Sequence, residues 1–200
     1  MSKQFPPIPP MRLTGDERFI TSTSVVTPTV LDFWRWSTAD LMSNATRGIL
    51  AEFIVATALG VTGEIREEWS PVDLKYKGMP IEVKASGYLQ AWGQDQLTKP
   101  KFGVTKAQYY DRATGEYRGE RRRHADLYVF CLHHCCDTTQ VNPLDLDQWS
   151  FYVTPTSLLE QRFPTADLVS RQQLEKVGVS PVVHSSLREE VDRHCAKYCR

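Results

Sequence analysis

The longest coherent pattern in the chain is the run TRGILAEFIVATAL at residues 46–59, where apolar side chains occupy nearly every face of a helical wheel. A helix apolar almost all round is a buried one. Asn44 is placed to cap its start, and Gly60 to close its end in a left-handed conformation. Residues 72–76 and 80–86 then alternate as strands do, and Lys77-Gly78 between them is a two-residue hairpin turn. Residues 125–132, ADLYVFCL, form a short continuous apolar run, the mark of a strand covered on both faces. A further strand is expected at 149–153 and a helix at 156–161, with short weaker helices over 168–177 and 185–198.

Upstream, Leu31, Trp34 and Leu41 fall near helical spacing, which predicts a helix over 28–42. Its bulky Phe33, Trp34 and Trp36 read either as core packing or as a homodimer contact. Residues 1–27, with four prolines and a TSTS stretch, predict a loosely structured segment. Residues 87–123 are mixed and polar. The order of elements predicts an α/β or α+β fold, a mixed central β-sheet flanked by helices. Residues 28–200 then form a single domain, with its core at about 44–155 and a helical C-terminal decoration over 156–200.

Composition narrows the functional classes. The chain has 200 residues, 41% of them apolar, and a formal net charge of zero. Any nucleic-acid partner must therefore be met by a local basic patch, and neutrality by itself equally fits a protein with no polyanionic partner. The five cysteines do not have the spacing of a secreted disulfide scaffold, and no secretory signal precedes them, so a cytoplasmic location is expected. No stretch is long and apolar enough to span a membrane, so no membrane partner is expected.

The chemistry concentrates in four residues. Glu52 lies in the apolar helix with Ile49, Val55 and Ala56 as its helical neighbours, so no partner within the helix answers its charge. Such a carboxylate must sit at a wet edge, find a partner elsewhere, or bind a metal. In the hairpin, a turn at Lys77-Gly78 sets Tyr76 opposite Met79, Leu74 opposite Ile81 and Asp73 opposite Glu82. Two facing carboxylates repel, and Asp is a poor strand residue. A divalent cation resolves the conflict, and magnesium takes one or two carboxylates with waters and substrate phosphate. Strand alternation puts Lys84 on the face of Glu82, with Ser86 beyond it and Ile81, Val83 and Ala85 opposite. A lysine there can orient or deprotonate a water, or neutralise charge on a reacting phosphate. The alternative is a charged ladder on a solvated hairpin.

In sequence order, Gly-Ile-Leu-Ala-Glu-Phe, then Ser70-Pro71-Val72-Asp73, then Ile81-Glu82-Val83-Lys84-Ala85-Ser86 and the ADLYVF strand resemble the PD-(D/E)XK, or restriction-endonuclease-like, nuclease superfamily. The resemblance is good over about residues 44–90 and weaker through ADLYVF. It departs from the superfamily pattern at Val72, which separates Pro71 from Asp73. The resemblance implies a restriction-endonuclease-like core and hydrolysis of DNA phosphodiesters, RNA not being excluded. It also implies Mg2+ as cofactor, with Mn2+ as substitute. Asp73 and Glu82 would hold the metal, Glu52 would support it, and Lys84 would serve the water. Gln90, just past the Glu-x-Lys strand, would touch the site or the DNA, or else be an ordinary polar residue at a strand end.

Arg112, Arg118, Arg121, Arg122 and Arg123 precede the ADLYVF strand. Of these, Arg121, Arg122 and Arg123 are expected to contact phosphates, with Lys99 and Lys101, and then Lys106, as further candidates. His133-His134-Cys135-Cys136 and His194-Cys195 with Cys199 have zinc-like ligands at the wrong spacing. No cysteine sits in a recognisably activated setting. The rival readings are a nuclease-fold protein that binds nucleic acid or protein without cutting, and a zinc-stabilised interaction module.

Overall fold

The computed structural model describes residues 5–195. In chain order the elements are β1 (Arg18–Ile20), β2 (Val25–Thr29), α1 (Val30–Ser37), α2 (Asn44–Leu59), β3 (Leu74–Tyr76), β4 (Met79–Gly87), β5 (Lys101–Gly103), β6 (Ala107–Asp111) and β7 (Glu116–Arg122). They continue with β8 (Leu127–His133), β9 (Trp149–Pro155), α3 (Thr156–Arg162), β10 (Leu168–Ser170), α4 (Arg171–Lys176) and α5 (His184–Cys195). The central sheet has the order β3-β4-β8-β9. Its β4–β8 pair is parallel and the other two pairs are antiparallel, which makes it the mixed sheet expected.

Strand β8 explains the layering. All seven of its residues are buried, so both faces need cover. On one face Leu127, Val129 and Cys131 join Ile81 and Val83 against α2 and α5, through Ala51, Ile54, Val55, Leu187 and Val191. On the other, Tyr128, Phe130 and Leu132 pack with Phe102, Leu159, Val169 and Leu174 from β5, α3, β10 and α4. The fold is thus mixed α/β, a sheet between helical layers.

Helix α2 forms where the apolar run predicts it. Its cap is Ser43 rather than Asn44: the Ser43 hydroxyl accepts the Thr46 N–H at 3.3 Å. Asn44 is already helical. At the other end Gly60 takes φ 73, and its N–H donates to the Ala56 and Thr57 carbonyls. Among the described residues no helix is long and apolar enough to cross a membrane.

Several elements differ from expectation. The segment expected to be loose carries the hairpin β1–β2, whose residues are almost all exposed. Helix α1 spans 30–37 rather than 28–42, because Thr29 caps its start in a reciprocal bond with Asp32 and Thr38 closes on the Trp34 carbonyl. It buries none of its residues, so Phe33, Trp34 and Trp36 are not core. The polar stretch 87–123 holds β5 and the hairpin β6–β7. Residues 168–177 divide into β10 and α4 at the Ser170 capping box. The end of the helix expected over 185–198 lies outside the described residues.

Candidate active site

The hairpin is set by its turn. Lys77 and Gly78 both have positive φ, 49 and 81, the geometry of a two-residue turn that matches strand twist. Lys77 tolerates it with its ammonium on Asp192 at 2.6 Å. The register follows as expected, Tyr76 opposite Met79 and Leu74 opposite Ile81. Asp73, however, does not continue the ladder. Its N–H donates to the Ile81 carbonyl at 3.1 Å, and its own Oδ2 accepts the Val83 N–H at 2.7 Å. A carboxylate here ends the strand pair by bonding a backbone donor of β4, and that holds it beside Glu82 and Lys84.

Along β4 the alternation is as read: Ile81 and Val83 are buried in the core, and Glu82 and Lys84 are half-buried. The Lys84 ammonium donates to Glu82 Oε1 at 2.5 Å. Glu52 comes from α2, where Ala51, Ile54 and Val55 fix the helix against the sheet. Its partner is one that sequence reasoning missed: Arg66 grips it with both nitrogens, Nε to Oε2 at 2.6 Å and Nη2 to Oε1 at 3.0 Å. No pattern in the exposed loop around Arg66 marks it out.

The electrostatics show one coupled cluster. Burial, the Asp73 carboxylate and Glu52 lift the Glu82 carboxyl above the ordinary range, against the pull of Lys84. Burial and Asp73 likewise raise Glu52, against Arg66 and Lys84. Burial pulls the Lys84 ammonium down, but Glu82, Asp73 and Glu52 outweigh it, and its pKa rests above that of a free lysine. In this arrangement the Lys84 ammonium is held in its charged form by the surrounding carboxylates. Three carboxylates against two cations leave the corner short of positive charge. Among the described residues, no three His, Cys, Asp or Glu side chains converge as a ready-made metal cage. Asp73 and Glu82 nevertheless supply the hard oxygen donors magnesium uses, one or two carboxylates with water and phosphate completing its shell.

The remaining candidates are spread more widely. Gln90 Oε1 accepts from Arg47 at 2.9 Å, while its Nε2 donates to the Gly87 carbonyl. Lys99 and Lys101 are exposed beside Ser86 and Gln90 in a common cleft. Arg121 and Arg122 are exposed on β7. Arg123 is not a surface contact: it is 6% exposed and donates to the carbonyls of Val104, Phe163 and Ala166, with Glu160 at 2.9 Å. The peptide turns inward after β7, so the third arginine of the run staples β5 to the α3–β10 connection. His133 is buried against Trp149, His134 is exposed and bonds Ser150, and Cys199 lies outside the described residues.

Every residue of the acidic corner falls within the part of the chain, residues 30–167, that matches the model of the bacteriophage T4 endonuclease IV family. That span is well over half the chain, and it places the protein in a class of nucleases. The chain belongs to the bacteriophage T4 endonuclease IV family. No curated protein shows significant similarity to it.

Proposed function

We propose that the chain is a metal-dependent DNA endonuclease with a restriction-endonuclease-like core, cutting phosphodiesters at the β3–β4 corner. The observation that carries this reading is the corner itself: Glu52 from α2, Asp73 just before β3, and Glu82 and Lys84 from β4 share one half-buried electrostatic cluster inside the span of an endonuclease family. A fold keeps such a repulsive, desolvated cluster at a cost, and a cationic ligand offsets it.

Asp73 and Glu82 are the residues that would hold Mg2+ or Mn2+, with Glu52 supporting from α2. Bound there, the metal would lower the pKa of a water and offset charge on the phosphate. The residues of the chain do the rest. The Asp73 carboxylate is oriented by the Val83 N–H, so one oxygen is fixed and the other is left for a ligand. Lys84, carried as an ammonium, donates to the water or to a non-bridging phosphate oxygen. Glu82 releases Lys84 for this as its own charge is taken up by the cation. Lys99, Lys101, Arg121 and Arg122 contribute phosphate contacts, and a cytoplasmic setting suits the buried Cys131 thiol.

The test is incubation of the pure protein with linear, circular and branched DNA, and with RNA, in magnesium, manganese or chelator. Cleavage of DNA in either metal and none in chelator is the expected result. DNA binding without cleavage in any metal would make this a binding module and overturn the reading.

A further inference from the structure

Past Lys84, the same face of β4 leads to Ser86 and into a cleft of about 320 Å3 lined by Arg47, Ser86, Gln90, Trp92, Lys99 and Lys101, among others. We propose that this cleft binds one nucleotide of the substrate strand beside the scissile phosphate, with its base stacked on Trp92 and its phosphate held by Lys99 and Lys101. The proposal rests on the nuclease reading and adds to it a subsite with its own residues.

Charge is the first argument. The lining includes three cationic residues and no carboxylate. It adjoins the acidic corner, so a cation site and an anion site lie side by side, as a metal-bound phosphodiester and its neighbour require. Ser86 lies two residues beyond Lys84 on the strand, about 7 Å away, the span of about two stacked nucleotides at about 3.4 Å each.

Arg47 is the second. It is 3% exposed, yet among the described residues no carboxylate pairs with it. Its guanidinium donates only to neutral acceptors: the Leu89 carbonyl at 3.1 Å, Gln90 Oε1 at 2.9 Å and Asn44 Oδ1. Its Nε is buried without a partner. Gly87 makes room for it, since a Cβ there would stand 3.1 Å from Nη1. A buried guanidinium with no counter-ion is costly. Placed in the wall of a cleft, it supplies a fixed positive potential for an anion.

Trp92 is the third. It is 57% exposed, and among the described residues no other ring packs on it. The loop that presents it is braced: Gln94 accepts the Gln90 N–H at 2.8 Å and donates to the Tyr88 carbonyl and the Thr98 hydroxyl. An exposed indole on a braced loop above hydrogen-bonding side chains is a stacking platform for a base.

The experiment measures binding of a short fluorescent deoxyoligonucleotide in chelator, where nothing is cut, and then cleavage in magnesium. Trp92→Ala should weaken binding roughly five- to hundredfold, the range for one stacked base, while Trp92→Phe recovers most of it. Lys99→Ala and Lys101→Ala should each flatten the salt dependence by about 0.7 in log–log slope. In cleavage, Trp92→Ala should raise KM more than it lowers kcat. If wild type binds and Trp92→Ala binds equally well, or if Ala and Phe lose equally, the subsite is wrong. If wild type binds the oligonucleotide but cuts no DNA, the nuclease reading fails while the stacking comparison still judges the cleft. If wild type does not bind it at all, the subsite is wrong, while cleavage of DNA in magnesium still judges the nuclease reading.

Discussion

The acidic corner and the β6–β7 hairpin are both dense in charge, and they handle it in opposite ways. At the corner, Glu82 and Lys84 stand on a strand whose other face is in the core, Glu52 on a helix pressed against the sheet, and Asp73 is pinned by a β4 amide. Desolvation and mutual repulsion lift Glu52 and Glu82. On the hairpin, all seven residues of β7 are exposed, Arg118 pairs locally with Asp111 and Glu116, and Arg121 donates to the Lys106 carbonyl. Such exposed pairs contribute little to stability. The lesson is that charge density along the chain does not single out a candidate site; a cluster of like charges held against its own desolvation does.

The sharpest way to break this comparison is at Lys84. Lys84→Ala should lower cleavage by roughly a hundred- to a thousandfold, the effect of removing one positioned donor, while leaving metal binding intact. Full activity in a pure preparation would return the corner to an ordinary charged face.

Next come the consecutive arginines. Arg123→Ala takes a donor from three carbonyls, of which that of Phe163 keeps the Ala166 N–H, and at about 1 kcal/mol for each lost bond it should lower Tm by roughly 4–12 °C. Its DNA-binding salt slope should not change. Arg121→Ala with Arg122→Ala should do the reverse, leaving Tm in place and flattening the slope measured on duplex DNA by about 0.9 per arginine. An Arg123→Ala protein as stable as wild type would contradict the buried staple.

A smaller effect separates charge from hydrogen bonding at Asp73. In chelator, Asp73→Asn keeps an acceptor for the Val83 N–H and sheds repulsion, so its Tm should equal or exceed that of wild type. Asp73→Ala also loses the bond and should be less stable by about 1 kcal/mol. Clear destabilisation of the Asn variant would mean that the negative charge itself is structural.

The smallest effect concerns pH. Hydrogen bonds from Lys106 and then Arg123 hold the Glu160 carboxyl below its ordinary range. A depressed carboxyl contributes stability above its unfolded pKa and loses it as pH falls through the folded value. The Tm of Glu160→Gln should therefore trail wild type near neutrality, with the gap closing below the ordinary carboxyl range. A gap constant with pH would show that charge plays no part there.

Much of this was legible in the sequence, and the reason is burial. The apolar run of α2, the continuous strand β8 and the Lys77-Gly78 register all reflect a packed core that imposes its period on the chain. The alternation of β4 put Glu82 and Lys84 on one face for the same reason. What escaped lies where no core dictates the pattern. The strands β1, β2, β6 and β7 are largely exposed and pack no face into the core. Arg66 reaches Glu52 across fourteen residues from a loop with no periodicity. Asp73 was expected within the ladder and instead ends it, because a side-chain acceptor can take the place of a backbone carbonyl. Arg47 carried a readable signal, a lone cation in the first turn of an apolar helix, where the helix dipole disfavours it. Arg123 carried none that sets it apart from its two neighbours.

The central claim is that the corner exists to hold a divalent cation, and calorimetric titration with millimolar manganese tests it most directly on wild type, Lys84→Ala and Asp73→Asn. Wild type and Lys84→Ala should bind, and each should melt at a higher temperature in manganese through preferential binding to the folded state, while Asp73→Asn shows neither effect. Equal behaviour of wild type and Asp73→Asn, with or without heat of binding, would contradict it.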